Sequence, residues 1–159
     1  MSDSNRFTDP RTHRYTIATP TRENPVLVVC PKCEEQAYVL PDPKKSERSA
    51  KLVCHKCGYS DRSDGSIQVY KWHDNPADSY FECDLWLQTN CLGYTLWAFS
   101  EKHLTLLEEY IEAGLRERTK DPEIGWRNAS IFSRLPKWMT SSSNRNEVRK
   151  GLQKLRDRL

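Results

Sequence analysis

Residues 30–57 decide the fold, and they read CPKCEEQAYVLPDPKKSERSAKLVCHKC. Two residues separate Cys30 from Cys33, two separate Cys54 from Cys57, and 20 residues lie between the pairs. A two-residue spacing lets one tight turn direct both sulfurs at a single ion, and four thiolates are a tetrahedral ligand set of structural zinc sites. The stretch therefore predicts one Zn²⁺ ion bound by these four cysteines.

Four thiolates leave the ion no open position for water or substrate, so we expect a structural zinc ion and not a catalytic one. Metal binding contributes about 10–16 kcal/mol in small zinc peptides, which is enough to support a module with little core of its own. An iron centre and a redox-active pair of thiols would use the same residues and remain alternatives.

Short runs typical of β-strands surround the cysteines. The runs are VLVVC, AYVL, KLVC and SIQVYKW, bounded by Pro, Gly, Ser and Asp. Pro41 and Pro43 end the second run, because proline cannot donate to a strand ladder. Residues 1–24 mix Ser, Thr, Pro, Arg and Asp without periodicity and predict a flexible arm, so the four-cysteine ribbon is predicted over residues 25–72.

The remaining block, residues 73–159, predicts a β-hairpin and helices. DLWLQTNCLGYTLWAF is typical of two strands around a turn at Thr89–Gly93, where Asn90 and Gly93 would supply positive φ. Ser100 is the predicted N-cap of a helix in EKHLTLLEEYIEAGLRER. Four apolar residues recur at helical spacing in that helix: Leu104, Leu107, Ile111 and Leu115.

Two further helices are predicted near the C-terminus. One spans Trp126–Leu135 and stops before Pro136. The other is NRNEVRKGLQKLRDRL, with Asn144 and Glu147 at capping-box spacing. Its expected inward face comprises Val148, Leu152, Leu155 and Leu159. The predicted fold class is α+β: a small N-terminal zinc ribbon of antiparallel strands, followed by a β-hairpin and two or three α-helices.

The knuckle sequences CPKC and CHKCGY resemble those of zinc ribbons of the transcription factor IIB type, although Glu34 stands where many such knuckles have glycine. With LWLQTNCLGYTLWAF, SRLPKWM and NRNEVRK, the chain over residues 25–159 resembles a group of small bacterial proteins described as zinc-ribbon-containing. The resemblance implies a bacterial, cytosolic origin and pairs the ribbon with this C-terminal block. It implies no reaction and no substrate.

The net charge of +3 conceals a strong asymmetry along the chain. The local balance is +3 over residues 1–60, −7 over residues 61–114 and +7 over residues 115–159. The chain contains no apolar run of about 18 residues, which predicts no membrane-spanning helix, and MSDSNRFTDP lacks the apolar stretch of a secretory signal. We therefore expect a cytoplasmic protein, where paired cysteines bind metal more often than they form disulfides.

The basic C-terminal helix is the candidate contact surface for phosphates. Its cations are Arg145, Arg149, Lys150, Lys154, Arg156 and Arg158, and the neighbouring candidates are Trp126, Lys137 and Trp138. Two other interpretations stay open. The cations can form an ordinary solvated helix face, or the acidic helix face with Glu108, Glu109 and Glu112 can dock against them and neutralise them.

Other chemistry finds little support in the sequence. His73, Cys83, Cys91 and His103 could form a second metal site, but the spacing is unusual, so two buried or partly buried thiols and two solvent-facing imidazoles are expected. His55 is expected to point outward. Trp86 and Trp97 are expected in the core between hairpin and helix. No phosphate-binding loop and no GxSxG or HExxH motif occurs, so we do not expect an enzyme.

The sequence thus predicts a non-catalytic zinc-ribbon protein that recognises nucleic acid or a nucleic-acid-handling complex through the ribbon and the basic helix. No membrane partner and no small-molecule substrate are inferred. A protein–protein adaptor with a purely structural zinc is one alternative, and it predicts binding that is insensitive to salt. A thiol redox or zinc-responsive switch is the other, and it predicts reversible oxidation with zinc release.

Overall fold

The structure, a computed structural model, describes residues 6–8, 17–42, 44–45, 49–63, 76–113, 115–117, 132 and 135–159, with 6–8 and 115–117 as backbone only. The strands are β1 Arg6–Thr8, β2 Val26–Val29, β3 Gln36–Pro41, β4 Ala50–Val53, β5 Ser60–Arg62, β6 Leu87–Cys91, β7 Tyr94–Ala98 and β8 Leu115–Glu117. The helices are α1 Glu101–Glu112, α2 Lys137–Thr140 and α3 Arg145–Arg156, with a 3₁₀ turn over Ser142–Asn144.

Strands β2 to β5 form an antiparallel sheet in chain order, which carries the four cysteines in its connections. Along β4 the residues alternate between buried Ala50 and Leu52 and partly exposed Lys51 and Val53, because successive strand residues face opposite sides. The first three predicted strands are confirmed. The fourth strand is Ser60–Arg62, which we did not predict, and the predicted strand SIQVYKW lies outside the described residues.

The outer edge of β2 is covered by the C-terminal block. Leu27 donates its backbone N–H to Phe99 O at 2.9 Å and accepts from Trp86 N at 3.0 Å, while Val29 N–H donates to Asp84 O at 2.8 Å. These bonds satisfy an edge that would otherwise expose unpaired backbone groups. The ribbon and the block after it therefore share one apolar core, which also includes Ile17 from the predicted flexible arm.

Strands β6 and β7 form the predicted hairpin, but the turn differs in detail. Leu92 and Gly93 occupy its two central positions, with φ of 55° and 81°. Such positive values give the turn the twist that a two-residue hairpin needs, and glycine adopts them most readily. Asn90 lies within β6 paired with Thr95, so its predicted role in the turn is wrong.

Helix α1 begins as predicted, since the Ser100 side chain accepts a hydrogen bond from His103 N. Leu104, Leu107 and Ile111 are buried and confirm the predicted face. The helix ends at Glu112, earlier than predicted, because the chain turns to an extended conformation at Ala113. The predicted fourth member, Leu115, instead begins β8, which pairs in parallel with β1. The residues that follow α1 therefore pair with the distant strand β1 and do not continue the helix.

Helix α3 packs against α1 and the hairpin through Val148, Leu152 and Leu155, as predicted. Gly151 belongs to the same face, and a Cβ atom there would lie 2.7 Å from Leu96 Cδ2. The glycine that weakens this helix locally thus allows close approach to β7. Leu159 lies beyond the helix end and is 45% exposed, so its predicted inward position is wrong.

The start of α3 does not form the predicted capping box. Asn144 is the N-cap but makes no side-chain cap, because its backbone is in the right-handed helical region and not in the extended conformation of a capping residue. Its Nδ2 donates to Trp138 O at 3.0 Å. Glu147 pairs with Lys150 and not with the cap. Helix α2, which contains Trp138, was not predicted, and the helix predicted over Trp126–Leu135 falls almost entirely outside the described residues.

Across the described ranges, the fold combines antiparallel sheets with three α-helices. None of the helices in these ranges is long and apolar enough to cross a membrane.

Candidate metal centre

The two cysteine pairs occupy turns with the same backbone hydrogen bonds. Cys30 N–H donates to Glu35 O at 2.7 Å, and Glu34 N–H donates to Cys30 O at 3.0 Å. In the second turn, Cys54 N–H donates to Tyr59 O at 2.8 Å and Gly58 N–H donates to Cys54 O at 3.0 Å. Each turn, or knuckle, connects two strands of the four-stranded sheet, so the sheet holds the two knuckles side by side.

Glu34 and Gly58 occupy equivalent positions in these knuckles, and both have positive φ, 63° and 77° respectively. A left-handed backbone at this point lets the chain leave the turn and return to a strand. Glycine adopts it without strain, whereas a side chain costs about 1–2 kcal/mol. The departure from the knuckle pattern at Glu34 therefore leaves the geometry intact and introduces local strain.

The four sulfurs form one compact cluster, with all ligand atoms within 4.8 Å of one another. Cys30 Sγ lies 3.7 Å from Cys57 Sγ, and Cys33 Sγ lies 3.6 Å from Cys54 Sγ. A tetrahedral ion with metal–sulfur bonds of about 2.3 Å would separate its sulfurs by about 3.8 Å. The cysteines are therefore placed to coordinate one metal ion, as predicted.

The cluster lies at the edge of the core. Cys30 and Cys54 are buried, Cys33 is half-buried and Cys57 is exposed. The buried pair anchors the site to the sheet, and the other pair faces outward. An ion in this position would link the two knuckles to the ribbon core.

The thiols differ in how readily they ionise. Burial opposes ionisation of Cys30, but hydrogen bonds from the backbone amides of Cys33 and Lys32 and from neighbouring thiols lower its pKa to about 7. A backbone hydrogen bond from Glu35 favours the Cys33 thiolate, yet burial and the adjacent cysteines raise its pKa to about 12. Because metal ligation requires thiolates, a bound cation would supply the attraction that this crowded set needs to lose its protons.

The other cysteines and histidines do not join the cluster in the described part of the chain. Cys83 is half-buried and Cys91 is buried, as predicted. His55 is exposed, with its ring 5.1 Å from that of Tyr38, which agrees with an outward position. His73 lies outside the described residues.

His103 is buried, so its predicted exposure is wrong. Its Nδ1 accepts a hydrogen bond from Phe99 N at 3.1 Å, and its ring stacks on that of Phe99. Burial lowers its pKa to about 3, which keeps the imidazole neutral. The sequence could not predict this burial, because it results from packing of α1 against β7, whose Trp97 ring lies against that of His103.

The predicted contact surface on α3 is partly used within the molecule. Arg156 donates to both carboxylate oxygens of Glu108, at 3.0 and 2.9 Å, and to Thr105 Oγ1 at 3.0 Å. Arg149 forms an ion pair with Glu112. The interpretation in which the acidic helix docks against the basic one is thus confirmed for Glu108 and Glu112. These two arginines do not form a free cationic face.

The remaining cations of α3 and of the residues after it have different surroundings. Lys150 pairs with Glu147 of the same helix at 2.9 Å. The guanidinium of Arg158 lies 4.2 Å from the ring centroid of Trp86, whose Nε1 donates to Arg158 O. Arg145 is half-buried, and its buried Nε has no hydrogen-bond partner. Lys154 is exposed and has no ion pair within the described ranges.

The predicted aromatic candidates separate in the structure. Trp138 is half-buried and stacks on Tyr94, with ring centroids 4.9 Å apart and planes within 4°. Tyr94 is 53% exposed, and the sequence did not single it out. Lys137 is exposed next to Trp138, while Trp126 lies outside the described residues. Trp86 and Trp97 are half-buried against the core, so they fill it only in part.

A cationic pocket on the ribbon escaped the sequence reasoning. Its volume is about 380 Å³, and its charged lining comprises Arg22, Asp42, Lys44, Lys51 and Arg62. These residues are scattered along the chain between the cysteines and beside them. Only strand pairing brings them together, although the alternation in AKLV already indicated that Lys51 faces away from the core.

Comparison with known proteins found no matching family model, no matching curated protein and no matching solved structure. The resemblance to zinc-ribbon proteins is therefore supported by the four-cysteine cluster alone. The functional site that this structure establishes is a cluster of Cys30, Cys33, Cys54 and Cys57 that is placed to hold one metal ion.

Proposed function

We propose that this protein is a non-catalytic zinc-ribbon protein that recognises nucleic acid or a complex that handles nucleic acid. The observation that carries the proposal is the four-cysteine cluster, whose sulfur separations suit a tetrahedral ion. Four soft sulfur ligands favour Zn²⁺ over cations that prefer oxygen. A closed set of four thiolates gives the ion a structural role.

Zinc would cross-link the two knuckles, and side chains of the protein would contact the partner. When bound, the ion joins two knuckles whose strands are only three to six residues long. The sheet then presents its outer face as a rigid surface. Recognition without chemistry is consistent with the one titratable imidazole described in the core, His103, which is neutral and hydrogen-bonded to the backbone.

Nucleic acid is the favoured partner because the C-terminal block carries both exposed cations and an exposed aromatic stack. Lys154, Arg158 and Lys137 are exposed, and the Tyr94–Trp138 stack presents an aromatic surface beside α3. Lysine and arginine bind phosphates, and aromatic faces stack on unpaired bases. The cations of the ribbon pocket add a second basic region.

Metal content tests the zinc proposal. Purified protein should contain one zinc per chain, and Co²⁺ in its place should show the intense absorption of tetrahedral thiolate ligation. Cys83→Ser is the matched control, because Cys83 is a half-buried cysteine outside the cluster. Loss of zinc in Cys33→Ser but not in Cys83→Ser is expected. Iron in the purified protein, or equal metal content in both variants, would contradict the proposal.

Fluorescence anisotropy tests the partner. Zinc-loaded protein should bind short single-stranded DNA or RNA, with affinity falling steeply between about 50 and 200 mM salt. Lys154→Gln should weaken binding more than Lys150→Gln, because Lys150 is already paired with Glu147. Absence of binding at low salt would reject nucleic acid as the partner and leave the adaptor alternative, for which the exposed Tyr94–Trp138 stack is the observation in favour.

A further inference from the structure

Strand register places two cations face to face on the outer side of the ribbon. Lys51 of β4 is the direct partner of Arg62 in β5, and on its other side it is the partner of Leu40 in β3. Directly paired residues share one face of a sheet. The side chains of Leu40, Lys51 and Arg62 therefore form a row across three strands, on the face opposite the buried Val39 and Leu52.

Two like charges directly opposite each other destabilise a sheet. The nearest compensation in this structure is weak, because Asp42 Oδ2 lies 3.9 Å from Arg62 Nε and makes no hydrogen bond. Lys51 has no ion pair among the described residues. The pair therefore imposes a cost on the fold that an anion lying between the two side chains would remove.

The row forms one wall of a pocket of about 380 Å³. This volume falls within the usual range of small-ligand sites. The lining residues are Arg22, Leu40, Pro41, Asp42, Lys44, Lys51 and Arg62. Four cations thus face one carboxylate, and neither Arg22 nor Lys44 has an ion pair in the part of the chain that the structure describes.

Asp42 mainly stabilises the loop that forms this pocket and repels a bound anion only weakly. Its side chain is only 5% exposed, and Oδ2 is buried, so the carboxylate presents little surface to an anion in the pocket. Asp42 N–H donates to Ser49 O at 2.9 Å, and Asp42 O accepts from Lys45 N at 3.3 Å, which closes the loop that carries Lys44. Its carboxylate faces one N–H of Arg62 and leaves four others for a ligand.

We propose that this pocket binds phosphate groups, with Lys51 and Arg62 as the central contacts and Arg22 and Lys44 at the rim. Among the described lining residues, an excess of three positive charges spread over four side chains suits a ligand with more than one phosphate. Neighbouring phosphates of a nucleic-acid strand and the polyphosphate of a nucleotide share this chemistry. The assignment rests on the proposed function in that it identifies the contact surface of the ribbon.

Isothermal titration of the full-length, zinc-loaded protein with inorganic triphosphate tests the pocket. Lys51→Gln should weaken binding about tenfold, the usual effect of one lost hydrogen bond to a charged group. Lys150→Gln is the matched control, because it removes an exposed cation of α3 that is already paired with Glu147 and should leave triphosphate affinity unchanged. Absence of triphosphate binding, or equal weakening by both substitutions, would overturn the inference.

Thermal stability provides a second readout that folding defects would not mimic. Lys51→Gln should raise the melting temperature of the ligand-free protein, because it removes the repulsion with Arg62. Triphosphate should raise the melting temperature of the wild-type protein by mass action and have a smaller effect on the variant. A variant that melts lower than wild type and responds equally to triphosphate would overturn the inference.

Competition separates the two sources of phosphate. If triphosphate displaces a labelled oligothymidylate, the phosphates of the oligonucleotide bind in the pocket. If both bind together, the pocket takes the phosphates of a free nucleotide, and the strand binds elsewhere; either result supports a phosphate pocket. If the oligothymidylate binds and triphosphate does not, the pocket inference is overturned while the proposed function stands. If neither binds, both fail.

Discussion

The two basic regions of this protein differ in whether their cations are paired with carboxylates. On α3, Arg149 and Arg156 meet carboxylates of α1, and Lys150 meets Glu147 of its own helix. On the ribbon, Lys51 meets another cation, Arg62, across two paired strands. The number of lysines and arginines favours the helix as a binding surface. The lack of a carboxylate partner for Lys51 among the described residues favours the ribbon. We therefore expect an anion to bind where cations lack a carboxylate partner, and not where cations are most numerous.

The two regions also differ in what stabilises them. Helix α3 is packed through Val148, Leu152 and Leu155 against α1 and the hairpin. The ribbon has short strands, one of its faces is partly exposed, and an ion between its knuckles would stabilise it. This contrast, between helices fixed by apolar packing and a ribbon that adds a candidate metal centre to the shared core, can be broken or sharpened experimentally.

The largest expected effect is loss of the metal. Cys30→Ser should reduce the free energy of unfolding of the ribbon by about 5 kcal/mol or more, because metal binding in small zinc modules exceeds that value. Hydrogen exchange should show β3, β4 and β5 losing protection while α1 and α3 retain most of theirs. Cys83→Ser should retain both the metal and the protection. Uniform loss over ribbon and helices would show that the two regions unfold as one.

Acidification should affect the helical region through His103. Its pKa is about 3 in the folded protein and about 6.5 when unfolded, so the unfolded state binds more protons between these values. Stability is therefore unaffected by this group above pH 6.5 and falls as the pH decreases below it. From pH 7 to pH 5 the loss should be about 2 kcal/mol.

Denaturant titration of wild type and His103→Gln at both pH values measures this loss. Glutamine retains an acceptor for Phe99 N and does not titrate. Because both proteins share the same cysteines, acid effects on the metal centre cancel in the difference. An identical pH dependence of the two proteins would show that His103 is not held neutral.

The ion pair between the helices provides a direct test of the charge comparison. Glu108→Gln should lower the free energy of unfolding by only about 1 kcal/mol, since both side chains are about one-third exposed and solvent screens the pair. It should also leave Arg156 with only the exposed Glu101, at 3.3 Å, as an ionic partner among the described residues, and so strengthen binding of single-stranded DNA. Glu109→Gln is the matched control, because Glu109 is exposed on the same helix and has no ion pair among the described residues. Equal DNA affinity of both variants would contradict the view that pairing conceals the helix.

The smallest expected effect compares the two knuckles. Glu34→Gly should stabilise the zinc-loaded protein by about 1 kcal/mol, because it removes the strain of a left-handed side chain. Gly58→Ala should destabilise it by a similar amount, since open space around the Cβ leaves backbone strain as the main cost. Melting curves of both variants suffice. The same direction of change in both would show that the knuckles are not equivalent.

Much of the fold was accessible from the sequence because its signals are local. Ser100 caps α1 through its own side chain, and the apolar residues of α3 recur at helical spacing. The predictions failed where a distant segment decided the outcome. Leu115 belongs to a strand because β1 pairs with it, and the Asn144 side chain bonds to Trp138 O while making no cap hydrogen bond.

The same distinction between local and long-range signals applies to the metal cluster and the charged surfaces. Two knuckles of fixed spacing bring Cys30 together with Cys33, and Cys54 together with Cys57, because each turn is closed by hydrogen bonds within six consecutive residues. The sequence by itself therefore determined the ligand set. Only the tertiary structure decided which cations are neutralised, because that depends on strand register and on helix docking. These long-range pairings leave Lys51 facing Arg62 and join Arg156 to Glu108.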